Sequence, residues 1–238
     1  MSVVVIPVLS DNYAYLLCAG NEAWVIDPSA AAPVLQALQT HGATLVGIAV
    51  THHHHDHIGG VAALHAASGA PVSGPDDPRI PHLSDPVNDG DQRPFGATQI
   101  EVWSTPGHGQ YDCSFLWHRP DEPLALFCGD ALFVGGCGRI LDGNAEALWH
   151  TLQRFKQLPD DTAVYCGHEY SAENWRFAAT LAADNPAWTA QLDALQAAGA
   201  QTGCTVPSTI GQEKATNPFL RCTSLDQFVK VRQRKDQF

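Results

Sequence analysis

The run Thr51-His52-His53-His54-His55-Asp56-His57 places five of the chain's twelve histidines within six residues, and little but a metal centre makes use of such a segment. Histidine is the commonest neutral nitrogen ligand, and aspartate adds a charge-compensating oxygen. The apolar stretch Leu45 to Val50 leads straight into the run, and the Ala-rich stretch Gly60 to Ala67 follows it. The histidines are therefore expected on a loop between the C-terminal end of a strand and a helix. Alternate side chains of an extended loop face the same way, so His52 and His54 can share one ion. Asp56 and His57 can reach toward a second, while His53 and His55 point away. An expression tag would lie at a terminus, and this run is internal. A structural zinc site would be closed by four ligands and would usually draw on cysteines. The seven cysteines are odd in number and lack C-x-x-C spacing. An open, catalytic metal centre is the better reading.

Further ligands are expected from other strand ends. His108 follows the apolar run Gln99-Trp103, Asp130 follows Leu124-Phe127, and His168 follows Ala163-Tyr165. Each stands next to a glycine, which lets backbone approach closely. His41, His65, His82, His118 and His150 lack this context and read as surface or structural residues.

Formal net charge is −12, from 25 acidic and 13 basic residues, which argues against nucleic acid as a partner. No run of eighteen apolar residues exists, so no membrane span is expected. Met1 to Pro7 reads as a first strand rather than a secretory signal, which favours the cytoplasm. Seven buried, reduced thiols fit that compartment. Strands are expected at Val3 to Val8, Ala14 to Cys18, Ala23 to Ile26 and Ser114 to Trp117, as well as before each candidate ligand. Residues 69 to 98 are weakly patterned. Helices are expected over Pro33 to Thr40, after the cap Asn144, over Ser171 to Ala183, and over Asn185 to Ala198 with Gly199 as stop. Ser224-x-x-Gln227 reads as a capping box opening a final helix. The chain thus divides near residue 168 into a mixed α/β domain, 1–168, and a helical domain, 169–238. Lys230, Arg232, Arg234 and Lys235 gather near the end of an otherwise acidic chain. Arg232 and Lys235 stand at i, i+3 on one helix face.

His-x-His-x-Asp-His at 52–57 resembles the signature of the metallo-β-lactamase superfamily. Further segments resemble one branch, the glyoxalase II family: Pro7 to Tyr13, Thr51 to Gly60, Gly129 to Arg139, Val164 to Tyr170, Asn217-Pro218-Phe219-Leu220-Arg221, and Lys235 to Phe238. The resemblance implies an α/β fold, a four-layer αβ/βα sandwich with a small C-terminal all-helical domain. It implies two divalent ions, zinc first with iron or manganese as alternatives. His52, His54 and His108 would hold one ion, Asp56, His57 and His168 the other, and Asp130 would bridge. It also implies a small-molecule glutathione thioester as substrate, held by Arg139, Tyr170, Arg232 and Lys235. Glutathione carries two carboxylates, and arginine can take one with two parallel hydrogen bonds.

The implied reaction is hydrolysis of S-(2-hydroxyacyl)glutathione, with S-D-lactoylglutathione as the family's substrate, in the detoxification of methylglyoxal. A water acidified from a pKa of about 15.7 to about 7 attacks the thioester carbonyl. Asp56 and Asp130 would be the catalytic carboxylates. A monomer is expected. Two departures from the family pattern stand out. Leu141 replaces an aromatic, and Gly109-Gln110-Tyr111-Asp112 replaces Thr-x-Gly-His. The rival readings are a persulfide dioxygenase or lactonase of the same superfamily, and an inactive metal-binding module.

Overall fold

The computed structural model describes all 238 residues, Met1–Phe238. The first sheet runs in chain order: β1 (Ser2–Val8), β2 (Asn12–Ala19), β3 (Glu22–Ile26), β4 (Thr44–Ala49), β5 (Val72–Pro75) and β6 (Leu83–Val87). β1 to β3 pair antiparallel, and β3 to β6 pair parallel. Parallel neighbours need crossover connections. These are α1 (Ala31–His41) between β3 and β4, then α2 (His55–Ile58) and α3 (Val61–Ser68) between β4 and β5.

β2 explains the layering. It is buried along nearly its whole length, and its side chains alternate between two cores. Tyr13, Tyr15 and Leu17 face the second sheet, while Ala14, Leu16 and Cys18 join Val34 and Leu38 of α1 and Val61 and Leu64 of α3. The second sheet contains β7 (Gln92–Phe95), β8 (Thr98–Ser104), β9 (Cys113–His118) and β10 (Ala125–Phe127). The hairpin of β11 (Leu132–Phe133) and β12 (Gly136–Cys137) follows, then α4 (Ala145–Phe155) and β13 (Ala163–Tyr165), which joins β10 in parallel. Phe95 meets Trp24 of the first sheet and Trp117 between the sheets. On the opposite face Trp103 stacks on Phe155 of α4, ring planes 11° apart. The order helix, sheet, sheet, helix is the expected four-layer sandwich.

The chain continues through α5 (Ser171–Ala182), α6 (Pro186–Thr202), β14 (Ser208–Thr209), α7 (Ile210–Thr216) and α8 (Leu225–Asp236). Phe177, Phe219 and Phe228 of this region belong to the same core as the inter-sheet residues. No helix is long and apolar enough to cross a membrane, and all seven cysteines are unpaired.

Several local expectations change. Three strands, β5 to β7, occupy the weakly patterned segment 69–98, where pairing with neighbours rather than periodicity makes the strand. The region after residue 168 contains one two-residue strand, β14, on the edge of the second sheet. Gly199 does not stop α6. A Cβ there would stand 2.8 Å from Trp175 Cζ3, so the glycine serves close packing, and the helix ends at Gly203 with φ +64°. The capping box shifts by one position: Ser224 Oγ accepts from Gln227 N, but Gln227 Oε1 accepts from Thr223 N. The end of the histidine run, His55 to His57, is helical rather than extended.

Candidate metal centre

The candidate ligands meet because same-direction strands deliver their C-terminal ends to one edge. β8 and β10 are each antiparallel to β9, and β13 is parallel to β10, so His108, Asp130 and His168 emerge together. β4 of the other sheet delivers His52 and the turn behind it. The two edges are tied by Tyr13 N donating to Gly167 O at 2.9 Å and Cys113 N donating to Thr51 O at 2.9 Å.

Two groups form. Ligand atoms of His52, His54 and His108 lie within 4.8 Å of one another, as do those of Asp56, His57 and His168. Asp130 faces both. Its Oδ1 is 3.4 Å from His57 Nε2, and its Oδ2 is 3.6 Å from His108 Nε2 and 3.4 Å from His168 Nε2. All seven sequence-derived candidates are thus brought together. His53 instead faces Asp77 at 3.3 Å, and His55 is exposed at the start of α2; neither joins a group.

The outer ring nitrogens fix the tautomers. His108 Nδ1 lies 2.7 Å from the Arg139 carbonyl, which can only accept, so Nε2 keeps its lone pair. His168 Nδ1 meets Asp11 Oδ1 at 2.9 Å, and His57 Nδ1 meets Asp27 Oδ2 at 3.0 Å. Thr51 donates its hydroxyl to Asp27 Oδ2 at 2.7 Å, so its oxygen accepts from His52 Nδ1 at 2.9 Å. Four imidazole lone pairs are therefore turned inward, the arrangement typical of metal-ligating histidines.

Asp27 is one supporting residue that reading the sequence missed. It is 2% exposed, accepts from Thr51 N at 2.8 Å, and orients His57 directly and His52 through Thr51. Asp27-Pro28 reads as a turn, yet Asp27 directly follows β3 just as the candidate ligands follow their strands. Asn12 was also missed; its Nδ2 donates to Asp56 Oδ2 at 3.0 Å. In Asp27→Asn, the amide N–H group would face either the Thr51 backbone N–H, at the Oδ1 position, or both the Thr51 hydroxyl and the His57 protons, at the Oδ2 position. We expect metal affinity, measured by competition with a chelator, to fall about 10–100-fold. Unchanged affinity would remove Asp27 from the centre's support.

The donor set fits divalent cations. His52 Nε2, His57 Nε2 and Asp130 Oδ1 are buried without a hydrogen-bond partner. Such groups are costly unless an electrophile satisfies them. Electrostatics agree. Burial, together with His57, holds the His52 imidazole well below its ordinary value, and burial with His108 pushes His54 down to about 4. Both stay neutral and able to ligate. Burial also works against charge on His57 and His168, but there the carboxylates outweigh it. Asp130 and Asp27 hold His57 well up, and Asp130 and Asp56 bring His168 up to about 10. The field that would draw protons onto these rings equally attracts a cation.

The centre opens into a cavity of about 610 Å³ whose lining includes Arg139, Leu141, Tyr170, Glu173, Arg232 and Lys235. Tyr170 stacks on His168, ring centroids 4.6 Å apart. Arg232 is 3% exposed and is held by the Cys137 carbonyl at 2.8 Å and by Asp236 at 3.0 Å. Lys235 pairs with Glu173.

Residues 9–168 match the model of the metallo-beta-lactamase superfamily, and residues 169–238 match that of the hydroxyacylglutathione hydrolase C-terminus. The hydroxyacylglutathione hydrolase of Chromohalobacter salexigens is 44% identical over 93% of this chain and 87% of its own. That of Methylococcus capsulatus is 39% identical over 100% of this chain and 99% of its own. The chain belongs to the hydroxyacylglutathione hydrolase family.

Among solved structures, ETHE1 from Myxococcus xanthus superimposes with a TM-score of 0.75 at 29% identity, covering 98% of this chain and 90% of that one. TTHA1623, solved in a di-iron-bound form, gives a TM-score of 0.64 at 28% identity over 92% of this chain and 100% of its own. Within the hydroxyacylglutathione hydrolase frame, the loop after His108 is closed by Gly109 N donating to Asp112 Oδ2 at 2.5 Å. Burial pushes the Asp112 carboxyl up to about 7 despite that bond. Leu141 stands 61% exposed where the family pattern has an aromatic.

Proposed function

We propose that this chain hydrolyses S-(2-hydroxyacyl)glutathione, with S-D-lactoylglutathione as the principal substrate, to a 2-hydroxy acid and glutathione. The observation that carries this reading is a single cavity. It joins the double histidine–aspartate cluster to a wall of charged side chains that includes Arg232 and Lys235 of the C-terminal helix, in a chain of the hydroxyacylglutathione hydrolase family.

His52, His54 and His108 would hold one divalent ion and Asp56, His57 and His168 another, with Asp130 serving both. When bound, such ions acidify water and polarise a carbonyl oxygen. Imidazole and carboxylate donors without thiolate suit zinc, iron or manganese, and zinc is the ion we propose first. Asp56, whose Oδ2 accepts from Asn12 Nδ2, would also accept a hydrogen bond from the attacking water and aim it. Arg139 and Lys235 meet substrate carboxylates, and Arg232 shapes the wall through its hold on the Cys137 carbonyl. Tyr170, stacked on His168, offers its hydroxyl to the peptide portion. The departing thiolate has an ordinary pKa of about 8.5, so no dedicated acid is needed. In this reading residues 1–168 supply the metal centre and 169–238 the substrate wall, in a cytoplasmic monomer whose seven unpaired thiols suit a reducing compartment.

Metal analysis alongside a hydrolysis assay tests the proposal. Two ions per chain are expected, with S-D-lactoylglutathione hydrolysis lost on chelation and restored by added metal. Metal-replete protein that leaves this thioester intact would overturn it.

A further inference from the structure

The cavity wall carries an acid that neither the metal cluster nor the binding of carboxylates uses. Glu173, in the first turn of α5, pairs with Lys235 Nζ in the last turn of α8. The Lys235 side chain is 8% exposed, with its ammonium over the rings of Phe177 and Phe238, whereas Glu173 remains 54% exposed. The carboxylate is therefore open to the cavity even while paired. Arg232 is already neutralised by Asp236. The wall thus presents Arg139 and, beside it, an ion pair of opposite charges rather than a plain cationic patch.

A lone carboxylate is a poor match for such a pair, because Glu173 repels what Lys235 attracts. An α-amino-acid head group is a good match. It carries an ammonium and a carboxylate on one carbon, and can lie antiparallel against Lys235 and Glu173. Lysine has three N–H donors, so Lys235 can keep Glu173 and accept a substrate carboxylate at once. An acid in the first turn of a helix also complements the helix dipole. That role requires neither the cavity nor the lysine.

We propose that Glu173 receives the α-ammonium of the γ-glutamyl end of the substrate while Lys235 takes the adjoining carboxylate, so that the site selects thioesters with a free amino-acid head. This rests on the glutathione thioester reading above. The test compares KM for S-D-lactoylglutathione and for the same thioester built on glutaryl-cysteinylglycine, which lacks only the α-amino group. Wild type is expected to favour the amino substrate about fivefold, the scale of a partly exposed ion pair. Glu173→Gln is expected to abolish the preference by raising KM for the amino substrate alone. A preference that survives Glu173→Gln overturns the proposal. So does a fall in KM for both substrates, which would make Glu173 a competitor for Lys235. Hydrolysis of neither thioester by wild type would instead bring down the thioester reading itself.

Discussion

Asp130→Ala is expected to leave the fold intact and to lower kcat/KM for S-D-lactoylglutathione by about a thousandfold. Asp130 faces both histidine groups from the cavity side, with oxygens 3.4 Å from His57 Nε2, 3.4 Å from His168 Nε2 and 3.6 Å from His108 Nε2. Removing it strips the shared negative charge from a pocket of imidazoles. Two cations held close together would then repel without compensation. Lewis-acid assistance is worth several kcal/mol, and about 4 kcal/mol corresponds to about 10³-fold in rate. The metal content should fall from two ions per chain to one or none. Far-ultraviolet circular dichroism should be unchanged, because the Asp130 side chain sits among imidazoles rather than within a helix or strand hydrogen-bond ladder. A variant that keeps both ions and most of its activity would rule out a shared carboxylate.

Gly167→Ala is expected to lower turnover by about a hundredfold through a single methyl group. Gly167 lies between β13 and His168, and its backbone conformation is open to any residue; the constraint is space alone. A Cβ at this position would overlap Asp130 Oδ1 and stand 2.7 Å from His57 Cε1. The backbone cannot retreat, since Gly167 N donates to Gly129 O at 2.9 Å and Gly167 O accepts from Tyr13 N at 2.9 Å. Asp130 must swing or His57 must tilt, and misplacement by about 1 Å can cost about 10²-fold. Overpacking itself costs only about 1–3 kcal/mol of stability. Metal stoichiometry and turnover should therefore collapse while the protein still melts cooperatively. Gly203→Ala is the control: with φ +64° and no neighbour within 4 Å, it should lower the melting temperature and leave metal content alone. Wild-type stoichiometry and turnover in Gly167→Ala would contradict the tight cradle around Asp130.

Much of the centre is legible in the linear chain because it is built from local units. An apolar run followed by a short loop with histidine or aspartate recurs at His52, His108, Asp130 and His168, and each case can be judged from its own few neighbours. The helix caps are local as well: Asn144 accepts from Ala147 N at 2.8 Å, as its position before an amphipathic stretch implies. The strands within 69–98 were not legible. β6 and β7 alternate half-exposed polar positions with prolines, and only pairing to β5 and β8 makes them strands. Asp27 was hidden for the same reason. Asp-Pro is ordinary turn chemistry, and nothing nearby in the chain says that Thr51 and His57 will converge on its carboxylate.

The sequence by itself determined the kinds of donor, their order and the strand ends that carry them, because short-range periodicity and composition suffice for that. Only the tertiary structure decided which nitrogen of each imidazole faces inward, that Asp27 supports His57 and Thr51, and that Lys235 is matched with Glu173 62 residues away. Those outcomes depend on the direction and register of strands in two sheets, and on two helix ends brought to one wall. Such contacts arise between segments that are remote in the chain, where no local pattern records the partner.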